Sequence, residues 1–298
     1  MPDEKTAALG RPRPGGRIEK CMTVRARENF RFEVLRILLL VSLASLAYVA
    51  APVWAANHVV AWGAGTFVSS PPDFNNYGQS IVPTNLTNAI LVSGGGRFSL
   101  ALKTGGSVTG WGDDSFGQFD FPSALSNCTA IACGREHSLA LRSNGTVAAV
   151  GDGFYFQTDV PPGLSNVVSV AAGFYHSVGL KADGSVVAWG MSTNNSQIGM
   201  DPNYGQTRIP ANLSNVVALA AGGWHNLALI SDGTVRSWGR DDFTQADVPN
   251  GLSNVVAIAG GAVHSLALKA DGTVVAWGGN TYGQTNVPAG LQCVSVRK

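Results

Sequence analysis

The stretch Asn254–Leu291, NVVAIAGGAVHSLALKADGTVVAWGGNTYGQTNVPAGL, is the clearest of six copies of one cassette that fill the chain from Asn57 to its end. The copies come into register on an aromatic residue before a short signal that is Gly-Gln in four copies, Phe-Gln in one and Thr-Gln in another: Tyr77, Phe116, Tyr155, Tyr204, Phe243 and Tyr282. Successive members stand 39 residues apart, except for 49 between Tyr155 and Tyr204. Two residues on, each copy has Gln (79, 118, 157, 206, 245, 284), and four further on each has Pro (83, 122, 161, 210, 249, 288). A Trp column precedes them at Trp62, Trp111, Trp189, Trp238 and Trp277, with Val150 the single departure. Self-similarity at a fixed period of a few tens of residues marks a repeat architecture, and it decides the fold before any local feature does.

Each copy holds a run like NVVAIAAG, a run like HSLALK, a run like TVVAWG and a short GQTNVP segment, separated by glycine or proline. All four read as short strands. Between the second and third runs stand Asn144-Gly145, Asp183-Gly184, Asp232-Gly233 and Asp271-Gly272. Such pairs tolerate positive φ and suggest two-residue turns joining antiparallel strands. No helical periodicity appears after residue 56. Four short strands per copy, repeated radially, imply an all-β chain folded as a β-propeller of four-stranded blades.

A Gly followed three residues later by His-Ser-Leu-Ala-Leu, then Asp-Gly, Val-Ala-Trp-Gly and Tyr-Gly-Gln, resembles the repeat of the regulator of chromosome condensation family over residues 57–298. The copy length, the VVAWG at the start and the TNVPAGL joints look closer still to secreted bacterial members, including the propeller type of β-lactamase inhibitor protein. The family's propellers usually have seven blades, whereas six are countable here. The chain begins in a third strand, residues 58–63, and ends in a first strand, Cys293–Val296, so the termini are expected to meet in one composite blade. Either a six-bladed ring closes with a thin blade, or the chain is truncated and its unpaired edge drives oligomerisation.

Residues 1–55 are different material. The first 56 residues carry nine Lys or Arg against five acids, and an uncharged stretch runs from Ile37 to Ala56. This reads as a signal peptide cut after Ala55, with export to the periplasm or the outside of the cell; an uncleaved membrane anchor is the alternative, and Met22 is a second candidate start. Residues 56–298 then form the propeller. Without the leader, the 20 basic and 19 acidic residues become 11 and 14, a net charge of −3. Lys103, Lys181 and Lys269 recur at one strand-end position and form no phosphate track, so nucleic acid is not an expected partner. With 37 Gly, 14 Pro and 13% charged residues, the composition suits a packed, turn-rich β domain.

The chemistry-bearing residues point away from catalysis. Glu136 is the only Glu after the leader, and the aspartates sit mostly in turns, so no acid and base pair stands out. His137, His176, His225 and His264 fill one column in which Phe98 also stands. Phenylalanine neither ligates metal nor moves a proton, so the column reads as structural, each imidazole bonding its own blade. Cys128 and Cys133, five apart in one strand, are expected on opposite faces and unbridged. Nothing in the chain calls for a metal or a cofactor.

The copies differ most where a partner would be read. In an antiparallel meander the loops from strand one to two and from three to four share one face, while the Asp-Gly turns and VPxGLSN joints share the other. The first set carries Arg97, Arg135, Glu136, Phe174, Tyr175, Trp224 and Val263 before the His column. It carries Asp113, Asp114, Asp152, Arg240, Asp241 and Asp242 after the Trp-Gly signals. Both ten-residue insertions, within residues 64–76 and 191–203, enlarge the same face. Aromatics and arginines among acids are what protein interfaces use as anchors and rim. The expected partner is therefore a protein, bound by a non-enzymatic module through Phe174, Tyr175, Trp224, Arg97, Arg135, Glu136, Asp113, Asp114, Asp241 and Asp242. The resemblance to the secreted inhibitor implies an exported enzyme such as a β-lactamase as one target; a cell-envelope assembly role is the alternative.

Overall fold

The computed structural model describes Val59, Ala61, residues 77–191 and 203–289, and Leu291. The leader, nearly all of the terminal strands expected to close the ring and nearly all of both insertions lie outside these residues. Fifteen strands form five antiparallel sheets of three, each in sequence order, and no helix occurs among the described residues. Sheet one holds β1 (Ala89–Gly94), β2 (Phe98–Lys103) and β3 (Val108–Gly112). Sheet two holds β4 (Cys128–Cys133), β5 (His137–Arg142) and β6 (Val147–Gly151), and sheet three β7 (Val167–Ala172), β8 (His176–Lys181) and β9 (Val186–Gly190). Sheet four holds β10 (Val216–Ala221), β11 (His225–Ile230) and β12 (Val235–Gly239), and sheet five β13 (Val255–Gly260), β14 (His264–Lys269) and β15 (Val274–Gly278).

The middle strands β5, β8 and β11 are buried along nearly their whole length because sheets two, three and four are covered on both faces by their neighbours. Leu139 and Leu141 of β5 pack with Val167, Val170 and Trp189 of sheet three, while Ala140 turns back toward Leu100 and Leu102 of sheet one. The same alternation stacks sheet three on four through Val178, Leu180, Leu219 and Trp238, and sheet four on five through Leu227, Leu229, Ile258 and Trp277. Val59 packs on sheet one beside Trp111 and Leu86. Burying a Leu, Val or Ile side chain contributes about 1.5–3 kcal/mol, so the face-to-face seams carry most of the stability.

Three local expectations are corrected. The GQTNVP segments are not strands. The Gln157 carboxamide oxygen accepts from Tyr155 N at 2.9 Å, Asp159 N donates to Phe156 O at 3.1 Å and Val160 N to Thr158 O at 2.9 Å. These bonds fold the segment into tight turns, and no strand is formed by the described residues of these segments. The Asn-Gly and Asp-Gly pairs do not make two-residue turns either. Gly145 N donates to Arg142 O, Arg142 N donates to Thr146 O, both at 2.9 Å, and of the pair only Gly145 has positive φ, at 77°. This is a three-residue loop, a type I turn closed by a left-handed glycine. The Asn or Asp is there as an acceptor: Asn144, Asp183, Asp232 and Asp271 take the amide of the residue two ahead at 2.9–3.1 Å.

The third correction concerns Cys128 and Cys133. Each first strand breaks register after its opening residue, in β4 between Cys128 and Ala130. That bulge resets the alternation, so both thiols join the same core cluster rather than opposite faces. They remain free and buried.

Candidate protein-binding face

The loops that carry the variable residues are held by a repeated hydrogen-bond chain between sheets. The Ser177 hydroxyl donates to Gln157 O at 2.8 Å, and Trp189 Nε1 donates to the same carbonyl at 3.0 Å. The Ser177 proton is thereby spent, so its oxygen accepts from His137 Nε2–H at 3.0 Å. His176 reaches Asn226 Oδ1 at 2.8 Å and His225 reaches Ser265 Oγ at 2.9 Å, each partner donating in turn to the backbone carbonyl of Gln206 or Gln245. The histidines therefore bond the next sheet, not their own blade as the sequence suggested. Burial lowers His137 and His225 to about 3 and His176 to about 4 from the ordinary 6.5, with neighbouring imidazoles adding to the effect on the first two. Where Phe98 replaces His, Ser138 Oγ across the seam is buried without a partner. The Gly three residues before each His exists for the ring: a Cβ on Gly134 would lie 2.2 Å from His137 Cε1.

On this frame the loop residues immediately before His176 and His225 meet the aromatic turns of the preceding copies. Phe154 packs edge-on to Tyr155 at 4.9 Å between centroids, Tyr155 on Tyr175 at 4.8 Å and Tyr175 on Phe174 at 6.4 Å. Phe174 then meets Trp224 at 4.6 Å, and Trp224 meets Tyr204 at 6.5 Å. Six rings make one unbroken band spanning loops of three successive copies. A guanidinium sits at each side. Arg135 lies 5.9 Å from the Phe174 centroid and 5.7 Å from that of Tyr175, and donates to the Tyr175 hydroxyl at 2.6 Å. Arg240 lies over Tyr204 at 4.6 Å, Trp224 at 5.0 Å and Phe243 at 5.4 Å. Such cation–π contacts, with the bonds of Arg135 to Tyr175 and of Arg240 Nε to Asp242 at 2.8 Å, fix the arginines against the rings.

The structure brings together Arg135, Glu136, Phe174, Tyr175 and Trp224, with Glu136 3.6 Å from Arg135. Arg97 stands in a separate pair, stacked 4.9 Å over Tyr77 and donating to its hydroxyl at 3.1 Å. The acids are largely occupied by their own turns. Asp113 is buried beneath its loop and accepts from the Ser115 amide at 3.0 Å and from the Ser115 hydroxyl. Asp114 accepts from Phe119 N at 3.0 Å and Asp241 from Ala246 N at 2.8 Å; partial burial raises both carboxyls above their ordinary range. Asp242 is the exposed partner of Arg240, at 2.8 Å. Sequence reasoning used Tyr155 and Tyr204 only to align the copies and did not assign them to the site. The signal was present: the aromatic column lies in the three-to-four loop, on the same face as Phe174.

The Regulator of chromosome condensation (RCC1) repeat matches residues 89–118, 128–157, 167–196, 216–245 and 255–284, 150 of the chain's 298 residues. The chain belongs to the regulator of chromosome condensation repeat family. No curated protein sequence matches it. Its fold is that of the family's solved propellers. Prp20p from Saccharomyces cerevisiae is similar at 23% identity and a TM-score of 0.55, over 67% of this chain and 60% of that one. The ectodomain of the Physcomitrella patens receptor kinase CR4 is similar at 22% identity and a TM-score of 0.61, over 78% of this chain and 60% of that one. Yeast RCC1 (Prp20) bound to Kap60 is similar at 18% identity and a TM-score of 0.50, over 93% of this chain and 88% of that one. This chain thus matches about 60% of the length of the first two structures. Within the aromatic band, Tyr155 and Tyr204 belong to the column that is aromatic in every copy, whereas Phe174, Tyr175 and Trp224 stand where the copies differ.

Proposed function

We propose that this chain is an exported, non-enzymatic recognition module that binds another protein through the band running from Phe154 to Tyr204 and its two arginines. The carrying observation is the continuity of that band: Trp, Tyr and Arg are the residue types that dominate binding energy at protein interfaces, and here they adjoin across three copies. Support comes also from the family. Prp20p has binding properties toward Gsp1p and histones, and yeast RCC1 is held in a complex with Kap60. The CR4 relative is an ectodomain, so the fold also serves in an extracellular protein. Within this reading an exported enzyme is the favoured target class, and a β-lactamase is its first defined example. Titrating the purified protein into a β-lactamase hydrolysis assay tests the example. Inhibition saturating at one-to-one stoichiometry, abolished by Trp224→Ala, supports it; undiminished hydrolysis at tens of micromolar protein removes that target.

A further inference from the structure

The histidine column carries a consequence independent of the partner's identity. His137, His176 and His225 each donate Nε2–H across a seam to the next sheet, at 2.8–3.0 Å. The other ring nitrogen, Nδ1, is buried with no hydrogen-bond partner in all three and in His264. Together with Cε1 it lies against the glycine three residues earlier, where even a methyl group would not fit. A second proton on any of these rings would therefore create a buried imidazolium with one unsatisfied N–H. No counter-charge is in place among the described residues. The groups that act on these rings across the seams are His176 on His137, His176 and His264 on His225, and the neutral Asn226 carboxamide on His176. Glu136, next to His137 in the chain, is engaged with Arg135. The seam between sheets one and two is different, since Phe98 closes it and has nothing to protonate.

We propose that the column is an acid-operated latch: protonation of His137, His176 and His225 uncouples sheets two to five and disperses the aromatic band, while the Phe98 seam is indifferent to pH. The link to the band is covalent, because Tyr175 and Trp224 each directly precede a latch histidine. That last part rests on the proposed role of the band in binding; the latch itself does not.

The direction follows from linkage. The rings are harder to protonate folded, at about 3 to 4, than unfolded, at 6.5. The unfolded chain therefore binds more protons below pH 6.5, and stability that is complete above that value falls until the folded values are reached. At pH 5 each latch lowers the folding constant about 30-fold, and three lower it about 3 × 10⁴-fold, a result that hardly depends on how far below 5 the folded values lie.

The test is urea unfolding of the purified protein at pH 7, 6 and 5, followed by near-ultraviolet circular dichroism, beside the variant His137→Phe/His176→Phe/His225→Phe. Phenylalanine is the residue that the column already accepts at position 98. The wild type should lose at least a thousandfold more of its folding constant between pH 7 and 5 than the variant does. Parallel losses would overturn the latch. Should the variant fail to fold, nitrogen-detected NMR of the wild-type imidazoles decides alone. Rings fixed as Nε2–H and neutral until tertiary signals collapse support the latch, and rings that titrate near 6.5 in the folded protein overturn it. Neither readout needs a partner, so failure of the binding proposal would leave them unaffected.

Discussion

Gly94 and Gly134 make a matched pair of alanine substitutions with opposite expected outcomes. A Cβ on Gly94 would have no atom within 4 Å, and other copies already use Ala172 or Ala221 at that place. Gly94→Ala should change stability by no more than about 0.5 kcal/mol, or add up to about 1 kcal/mol by restricting the unfolded chain. A Cβ on Gly134 would lie 2.2 Å from His137 Cε1, 2.5 Å from its Nδ1 and 2.4 Å from Gly173 O. The imidazole is held by Ser177 at 3.0 Å, and the carbonyl is backbone of the next sheet, so neither yields without opening the seam. Overpacking costs about 1–3 kcal/mol. Swinging the ring away loses the hydrogen bond, about 1 kcal/mol more, and strands a buried polar atom at a further 1 kcal/mol or so. Gly134→Ala is therefore expected to cost about 3–5 kcal/mol, a fall of roughly 10 °C in Tm for a domain of this size. Thermal unfolding of both variants checks it. A loss below about 1 kcal/mol for Gly134→Ala, or equal effects at the two positions, would refute the proposed role of these glycines at the seams.

Thr244 sits at φ 60° in the turn position that Gly fills in four copies, so Thr244→Gly should raise stability by about 1 kcal/mol in urea unfolding, the left-handed cost of a β-branched residue less the entropy of glycine. Trp189 is 2% exposed and donates to Gln157 O; Trp189→Val, which mimics the natural Val150, should cost about 2–4 kcal/mol in the same assay. Burial pushes the Cys133 thiol up to about 12, so mass spectrometry after alkylation at pH 8 should find Cys133 unmodified in the folded protein and modified in urea.

The architecture was legible because it is written redundantly. Copies in register fix three strand runs, and short apolar runs such as HSLALK and VVAWG bounded by glycine or turn residues read as strands rather than helices. What escaped was set by single hydrogen bonds. Asp183 looked like a residue chosen for positive φ but serves as an acceptor for Ser185 N. Gln157 looked like part of a strand, yet its side chain folds back on Tyr155 N and turns the chain. The register break after Cys128 reversed a face assignment that simple alternation made. At the site, Phe174, Tyr175 and Trp224 were readable from the loop rule, but Asp113 and Asp114 were not readable as turn acceptors, because a carboxylate that caps its own loop and one that awaits a partner look alike in sequence.

The central claim is that the aromatic band binds a protein, and the most direct measurement is a capture experiment. Exported proteins of the source cell are passed over the immobilised protein and over the variant Phe174→Ala/Tyr175→Ala/Trp224→Ala, whose folding is verified by circular dichroism. A protein retained at stoichiometric yield by the unaltered chain and lost from the folded variant is the expected result. Retention of the same protein by both, or of none by either, would contradict the claim.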